Sequence, residues 1–176
     1  MSTTYHHEPL RLANGTRVLT LQPSADMDEV IAIELTEVDL GASPQYEALS
    51  YAWGNVNEKL AISCHGQELL VTTNCHSALR HLRLPDRPRT LWVDAICIDQ
   101  TSDDDKSKQV RIMGEIYEGA EMVLVWLGPG HQITDLAIGF LSGFARFIDA
   151  DRETQDAVFL ANYRGLMGTN ISIPTV

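Results

Sequence analysis

The short apolar segment LWVDAICIDQ, residues 91–100, contains two acids that could do chemistry. Asp94 lies in its middle and Asp99 lies near its end. Burying an unpaired carboxylate is costly, so Asp94 needs an internal partner if this segment is a central strand. We expect a structural partner, either a backbone N–H group of a neighbouring loop or an arginine such as Arg80 or Arg111.

Asp99 differs because it closes the segment. A carboxylate at that point can hold a sugar hydroxyl or a cationic ring, and it can equally stabilise a turn or cap a helix. Trp53 and Trp126 each end an apolar segment shortly before a glycine. An indole there can offer a stacking face to a nucleotide or nicotinamide ring, although core packing is the more common role.

Other kinds of chemistry have little support. The sequence has no GxGxxG, Walker, HExxH or GxSxG motif. Cys64-His65 and Cys75-His76 do not have the spacing of a zinc site, so we predict no metal. Cys97 lies inside the apolar segment, where a thiol is usually an inert small hydrophobe.

Composition and charge exclude several classes of protein. The net charge of the 176-residue chain is −11, and its basic residues cluster only at 80–89, so we expect no nucleic-acid partner. No apolar run approaches a membrane span and no signal peptide opens the chain, so we expect no membrane span and a cytoplasmic location. Three cysteines without a CxxC pair indicate reduced thiols.

Hydrophobic patterning predicts the elements that position these residues. Strands are predicted at 16–24, 29–40, 46–55, 91–100 and 121–130, and a hairpin over 60–72 that turns at His65-Gly66. Helices are predicted at 72–84, 101–120, 134–150 and 152–168. In the second helix, Ser102 is the expected N-cap. The residues expected to face the core are Val110, Met113, Ile116 or Tyr117, and Ala120.

This order of elements predicts an α/β protein with a mainly parallel, flavodoxin-like sheet flanked by helices. The first two strands form an N-terminal strand pair, and the hairpin is inserted after the third. We expect a flexible N-terminus (1–15), one domain (16–150), and a C-terminal helix with a frayed tail (151–176). Ligands of such sheets bind beyond the carboxyl ends of the strands, where Trp53 and Asp99 are predicted to lie.

Four stretches, in this order and at these gaps, resemble the fungal heterokaryon incompatibility (HET) domain. They are YEALSYAWG (46–54), LWVDAICIDQ (91–100), KQVRIMGEIYEGA (108–120) and VLVWLG (123–128). With three supporting stretches, TRVLTLQP, ISCHGQELLVTTN and ALRHLR, the resemblance covers roughly residues 16 to 130. It implies a role in fungal non-self recognition and the programmed cell death that follows.

HET domains also resemble TIR domains distantly, which implies a TIR-like fold here. Some TIR domains cleave NAD with a glutamate, so the resemblance implies NAD as a substrate or ligand, with no tightly bound cofactor. A carboxylate beside the ribose can stabilise positive charge at the anomeric carbon. The residues that we expect to contact such a ligand are Ser50, Trp53, Gly54, Asp99 and Gln100.

The expected catalytic glutamate is not found. A full HET domain continues into an R-x-W-x-x-Q-E-like segment, whereas Glu153 is the only glutamate after residue 130 and its surroundings differ. We therefore expect a C-terminally truncated, non-catalytic form that binds other HET or TIR-like domains or a second copy of itself. The alternatives are an NAD-cleaving enzyme that uses a substitute acid, and a nucleotide-binding module. Substitute acids to consider are Asp99, Asp105, Glu115 and Glu153.

Overall fold

The computed structural model describes residues 3–129 and the backbone of Phe159–Leu160. Over these residues the chain forms a single sheet of eight strands with the order β5-β4-β2-β1-β6-β3-β7-β8. The predicted helices at 134–150 and 152–168 lie outside the described residues. The strands are β1 (Gly15–Leu21), β2 (Ala32–Asp39), β3 (Glu47–Tyr51), β4 (Lys59–Cys64), β5 (Gln67–Thr72), β6 (Arg89–Trp92), β7 (Met122–Trp126) and β8 (Phe159–Leu160).

Three α-helices connect these strands in the described part of the chain. They are α1 (Thr73–Leu82), α2 (Asp94–Cys97) and α3 (Asp103–Glu118). Ser102 caps α3 as predicted, because its hydroxyl accepts the backbone N–H of Asp105 at 3.2 Å. Among the helices described, none is both long enough and apolar enough to cross a bilayer.

The predicted α/β class is confirmed, but the sheet is mixed rather than mainly parallel. β3 runs parallel to β6 and β7, as expected of strands joined by helical crossovers. β1 runs antiparallel to both β2 and β6, and β4 runs antiparallel to β5. The N-terminal strand pair and the hairpin therefore join the same sheet and extend it on the β6 side.

A chain of buried hydrogen bonds attaches α3 to the sheet. The indole N–H of Trp92 donates to the Thr16 hydroxyl at 3.1 Å, and that hydroxyl donates to Gln109 Oε1 at 2.7 Å. The Trp92 ring also packs edge-on against Tyr117, with 5.5 Å between ring centroids. Gln109 is consequently buried and Val110 is 60% exposed, so the predicted core face is wrong at Val110, whereas Ile116 is fully buried and Met113 packs against the core as predicted.

The segment 91–100 is not one long strand. β6 ends at Trp92, and Asp94–Cys97 form the single helical turn α2. The N–H of Cys97 donates to the carbonyl of Val93 at 2.7 Å, so a local bond replaces the expected ladder bond. The apolar run thus reflects a buried turn, which periodicity cannot separate from a buried strand over so few residues.

The segment before β1 makes specific contacts. The N–H of Tyr5 donates to the carbonyl of Glu68 on the edge strand β5 at 2.8 Å. The Arg17 guanidinium donates to the carbonyl of Glu8 at 2.7 Å. Flexibility of residues 1–15 stays a prediction, but these bonds hold part of the segment against the sheet.

Arginines of the basic run at 80–89 are used within the fold. The buried Arg83 guanidinium donates to the carbonyls of Asp26 and Glu29 at 2.6 and 3.0 Å. Arg89 on β6 forms a two-point ion pair with Glu47 on β3. These contacts give the run a structural role in joining loops and strands.

Candidate functional site

The winding of the sheet reverses at the carboxyl ends of β3 and β6. The chain leaves β3 through the β4–β5 hairpin and α1 to reach β6 on one side of β3. It then passes through α2 and α3 to reach β7 on the other side. Because crossovers between parallel strands are right-handed, α1 and α3 cover opposite faces. Ligands of open α/β sheets bind in the crevice at such a reversal.

Trp53 and Asp94 meet across this crevice. Trp53 follows β3 and Asp94 follows β6, and the indole Nε1–H donates to Asp94 Oδ2 at 2.8 Å. The backbone N–H of Ala95 donates to Asp94 Oδ1 at 2.7 Å. The carboxylate therefore bonds to the N–H of the next residue and to an indole, and neither a backbone N–H of a neighbouring loop nor Arg80 or Arg111 is its partner as expected.

Burial raises the pKa of Asp94 above its ordinary value, although the hydrogen bonds from Trp53 and Ala95 oppose the rise. Desolvation disfavours the charged carboxylate, and no cation within the described residues forms an ion pair with it. Through its hydrogen bond from the Trp53 indole, the Asp94 carboxylate orients that ring at the point where the strand order reverses.

A cavity of about 350 Å³, which we call the Trp53 cleft, lies beside this pair. Its walls include Trp53, Val56 in the turn before β4, Leu70 on β5, and the loop residues Asp99 and Gln100. Gln100 is held in place because its Nε2–H donates to the carbonyl of Asp94 at 3.0 Å. Three of the five residues expected to contact a ligand, Trp53, Asp99 and Gln100, therefore line one cavity.

The other two residues of that predicted set do not line the Trp53 cleft. Ser50 lies within β3, paired with Val125 of β7. Gly54 has a φ of 73°, a conformation that favours glycine, and a Cβ there would lie 3.4 Å from the Cβ of Asn74. Gly54 thus serves the turn that follows Trp53.

Asp99 presents an ionised carboxylate to the Trp53 cleft. Its Oδ1 accepts the N–H and the hydroxyl of Thr101 at 2.9 and 2.7 Å, whereas Oδ2 accepts no hydrogen bond from the described residues. Burial alone would raise the pKa of Asp99, but the bonds from Thr101 and the charges of His7 and Arg17 hold it below its ordinary value. One oxygen thus remains open to a ligand.

His7 was missed at the sequence level. Its Nε2 lies 2.7 Å from the carbonyl of Ile96, which can only accept, so Nε2 carries the hydrogen. Its Nδ1 lies 3.9 Å from Asp99 Oδ1, and the imidazole also lines the Trp53 cleft. No periodicity or motif singles out a histidine in a polar terminal segment, and only the tertiary fold brings it there.

Asp105, another of the acids considered for catalysis, forms a buried ion pair. Its Oδ2 lies 2.9 Å from Arg17 Nη1, and both side chains are largely buried. The same oxygen accepts the backbone N–H of Asp99 at 2.8 Å. Asp105 does not line the Trp53 cleft and instead holds the loop that carries Asp99.

The described thiols are buried and unreactive. Burial raises the pKa of Cys64, Cys75 and Cys97 to about 12 in each case, and none forms a disulfide. Within residues 3–129, no cluster of three or more histidine, cysteine or acidic side chains is arranged to hold a metal ion.

Asp94→Asn and Asp99→Asn are expected to change stability with opposite dependence on pH. The pKa of Asp94 is raised on folding, so its contribution to stability is present below the ordinary value of 3.8 and is lost as pH rises. The non-titrating Asp94→Asn variant should therefore gain in free energy of unfolding relative to wild type as pH rises above about 4. Urea unfolding followed by circular dichroism at several pH values measures this difference.

Asp99→Asn is the matched control. The pKa of Asp99 is lowered on folding, so its contribution is present above the ordinary value of 3.8 and is lost as pH falls. This variant should be less stable than wild type at neutral pH and should approach it in acid. Unfolding curves whose differences from wild type do not vary with pH would contradict both assignments.

Comparison with known proteins adds an independent observation. The family model for heterokaryon incompatibility protein (HET) matches residues 46–159. The chain is 36% identical over 126 residues to heterokaryon incompatibility protein 6, OR allele, of Neurospora crassa, a match that covers 64% of this chain and 18% of that protein. The chain thus spans less than a fifth of the length of this relative. No solved structure matches the chain.

Proposed function

Because the chain belongs to the heterokaryon incompatibility (HET) family, we propose that it acts in fungal non-self recognition and the cell death that follows, through contact with other proteins rather than catalysis. The partners that we propose are other HET or TIR-like domains, including a second copy of this chain, met in the cytoplasm. The relative from Neurospora crassa carries heterokaryon incompatibility in its name, which supports this role.

The observation that carries the proposal is a group of exposed apolar side chains around the Trp53 cleft. Trp53 is 36% exposed, and Val56 and Leu70 are each 53% exposed. All three line the Trp53 cleft, and exposed apolar side chains gathered at one site beside polar groups are typical of protein interaction sites.

The acids of the described residues favour contact over catalysis. Asp99 is the only carboxylate among them that lines the Trp53 cleft, whereas cleavage of a glycosidic bond commonly uses a pair of carboxyl groups. Asp105 is held by Arg17 and cannot approach a ligand there without breaking a buried ion pair.

A nucleotide ligand is the second candidate, supported by the shared position of Trp53, Asp99 and Gln100 on one cavity. An indole face can stack on a base, and a carboxylate can accept the hydroxyl hydrogens of a ribose. Calorimetric titration with NAD and ADP-ribose separates the two candidates. Heat of binding that Asp99→Asn abolishes supports the nucleotide candidate, and its absence contradicts it.

Expression of the chain in a fungal host is expected to reduce the survival of fused hyphae. Leu70→Asp places a charge among the exposed apolar side chains and should restore survival, because a charge there opposes association. Leu127→Asp is the matched control, since Leu127 is exposed to a similar degree, at 56%, and does not line the Trp53 cleft. Vital staining of fusion cells measures the effect.

Two outcomes would contradict the proposal. Survival unaffected by the wild-type chain removes the role in incompatibility. Release of nicotinamide from NAD by the purified chain, abolished in Asp99→Asn, shows that the domain acts by catalysis.

A further inference from the structure

The outer edge of β5 is a partly used site for strand pairing. Glu68 points both its N–H and its carbonyl away from β4, since they bond to Thr3 and Tyr5 of the N-terminal segment at 2.9 and 2.8 Å. Alternation along a strand points the N–H and the carbonyl of Leu70 the same way. The chain therefore shows that this edge accepts an added strand.

The N-terminal segment leaves the edge before it reaches Leu70. Continued parallel pairing would bring the backbone of His7 to Leu70. Instead, the His7 imidazole bonds through Nε2 to the carbonyl of Ile96 in α2. No residue within the described part of the chain makes a backbone bond to the outward side of Leu70. An open edge position thus lies directly beside the Trp53 cleft, which Leu70 lines.

The Trp53 cleft next to this open position suits a cationic side chain. The Trp53 indole offers an aromatic face, and cations bind such faces favourably. Asp99 supplies an ionised carboxylate with one oxygen open to a ligand. Lys59 also lines the cleft, but the net charge of the whole chain is −11, so the long-range field attracts a basic partner.

We propose that an extended basic segment of a partner protein pairs with the outer edge of β5 at Leu70 and places one arginine or lysine side chain between the Trp53 indole and the Asp99 carboxylate. This is recognition by strand addition, in which backbone bonds supply affinity and a side-chain cavity supplies specificity. It rests on the proposed function as a protein-contact domain and names the chemistry of its partner.

A fluorescently labelled peptide of alternating arginine and valine tests the proposal by anisotropy. We expect saturable binding that Asp99→Asn weakens by about tenfold or more, because the buried end of the cation loses its charge partner. Trp53→Ala should weaken it to a similar degree. Asp104→Asn is the matched control, because it removes the same charge at an exposed position of α3. A glutamate–valine peptide should not bind.

Strand pairing is tested from both sides of the contact. Leu70→Pro removes the outward N–H without removing a bond to β4, and it should abolish binding. If that variant does not fold, a peptide with alternate backbone nitrogens methylated tests the same bonds on the wild-type protein and should not bind.

Three results would overturn the proposal. Equal weakening by Asp99→Asn and Asp104→Asn would show attraction to net charge alone. Undiminished binding of the methylated peptide would exclude strand pairing. Binding of NAD without binding of the basic peptide would identify the occupant as a nucleotide. Each of these can occur while the chain still reduces the survival of fused hyphae, so failure here is distinguishable from failure of the proposed function.

Discussion

Arg17→Met is expected to lower the free energy of unfolding by about 3 to 5 kcal/mol, because it leaves the Asp105 carboxylate buried without its charge partner. Arg17 is 4% exposed and lies 2.9 Å from Asp105. Its guanidinium also donates to the carbonyls of Cys97 and Glu8 at 3.0 and 2.7 Å, so three acceptors lose their donor at once. Urea unfolding at neutral pH measures the loss.

Two further variants test whether the loss of stability comes from leaving a buried charge unpaired. Arg11→Met removes a guanidinium paired with Glu8 at the surface, and it should cost at most about 1 kcal/mol. The double variant Arg17→Met/Asp105→Leu should recover much of the lost stability, because no unpaired charge remains. A double variant less stable than Arg17→Met would contradict the explanation.

The Arg17–Asp105 ion pair also matters for the Trp53 cleft. Asp105 accepts the backbone N–H of Asp99 at 2.8 Å, so the ion pair holds the loop that presents the Asp99 carboxylate. Arg17 additionally helps to keep the pKa of Asp99 low. Arg17, on β1, thus helps to position Asp99 although it does not line the Trp53 cleft itself.

Trp92→Ala is expected to cost about 3 to 5 kcal/mol of unfolding free energy, because it leaves a large cavity in a closely packed core. Trp92 is fully buried, packs against Tyr117 and donates its indole N–H to Thr16. Loss of this side chain therefore also removes the indole N–H bond to the Thr16 hydroxyl, which in turn bonds to Gln109 of α3. Thermal and urea unfolding measure the change.

Trp53→Ala is the matched control for Trp92→Ala. It removes the same indole from a site that is 36% exposed, so we expect a cost of about 1 kcal/mol, mainly from the lost bond to Asp94. Equal losses in the two variants would mean that Trp53 belongs to the core rather than to the wall of the Trp53 cleft.

The turns and caps of this fold could be predicted from the sequence because they depend on residues a few positions apart. The hairpin turns at His65-Gly66, where both residues have positive φ as a tight turn requires. The Ser102 cap of α3 is also a local contact, with Asp105 three residues away. The parallel pairing of β3 with β6 and β7 follows from alternating strands and helices.

Predictions failed where the same apolar residues can be buried by more than one local conformation, or where a polar residue is buried with an internal partner. The segment 91–100 is apolar enough for a strand, yet a helical turn at Asp94–Cys97 buries Ile96 and Cys97 equally well. In α3, Gln109 faces the core in place of Val110, because Thr16 satisfies its amide oxygen. Polar residues with internal partners can be buried, and local hydrophobicity does not show those partners.

The sequence by itself determined the class of fold, the positions of most strands and helices, and the family through its motifs. It also placed Trp53, Asp99 and Gln100 at one edge of the sheet. Only the tertiary structure decided that Asp94 meets Trp53, 41 positions away, that Arg17 meets Asp105, 88 positions away, and that His7 approaches Asp99. The physical reason is that such contacts depend on strand order and on the path of the N-terminal segment, which leave no periodic signal in the residues themselves.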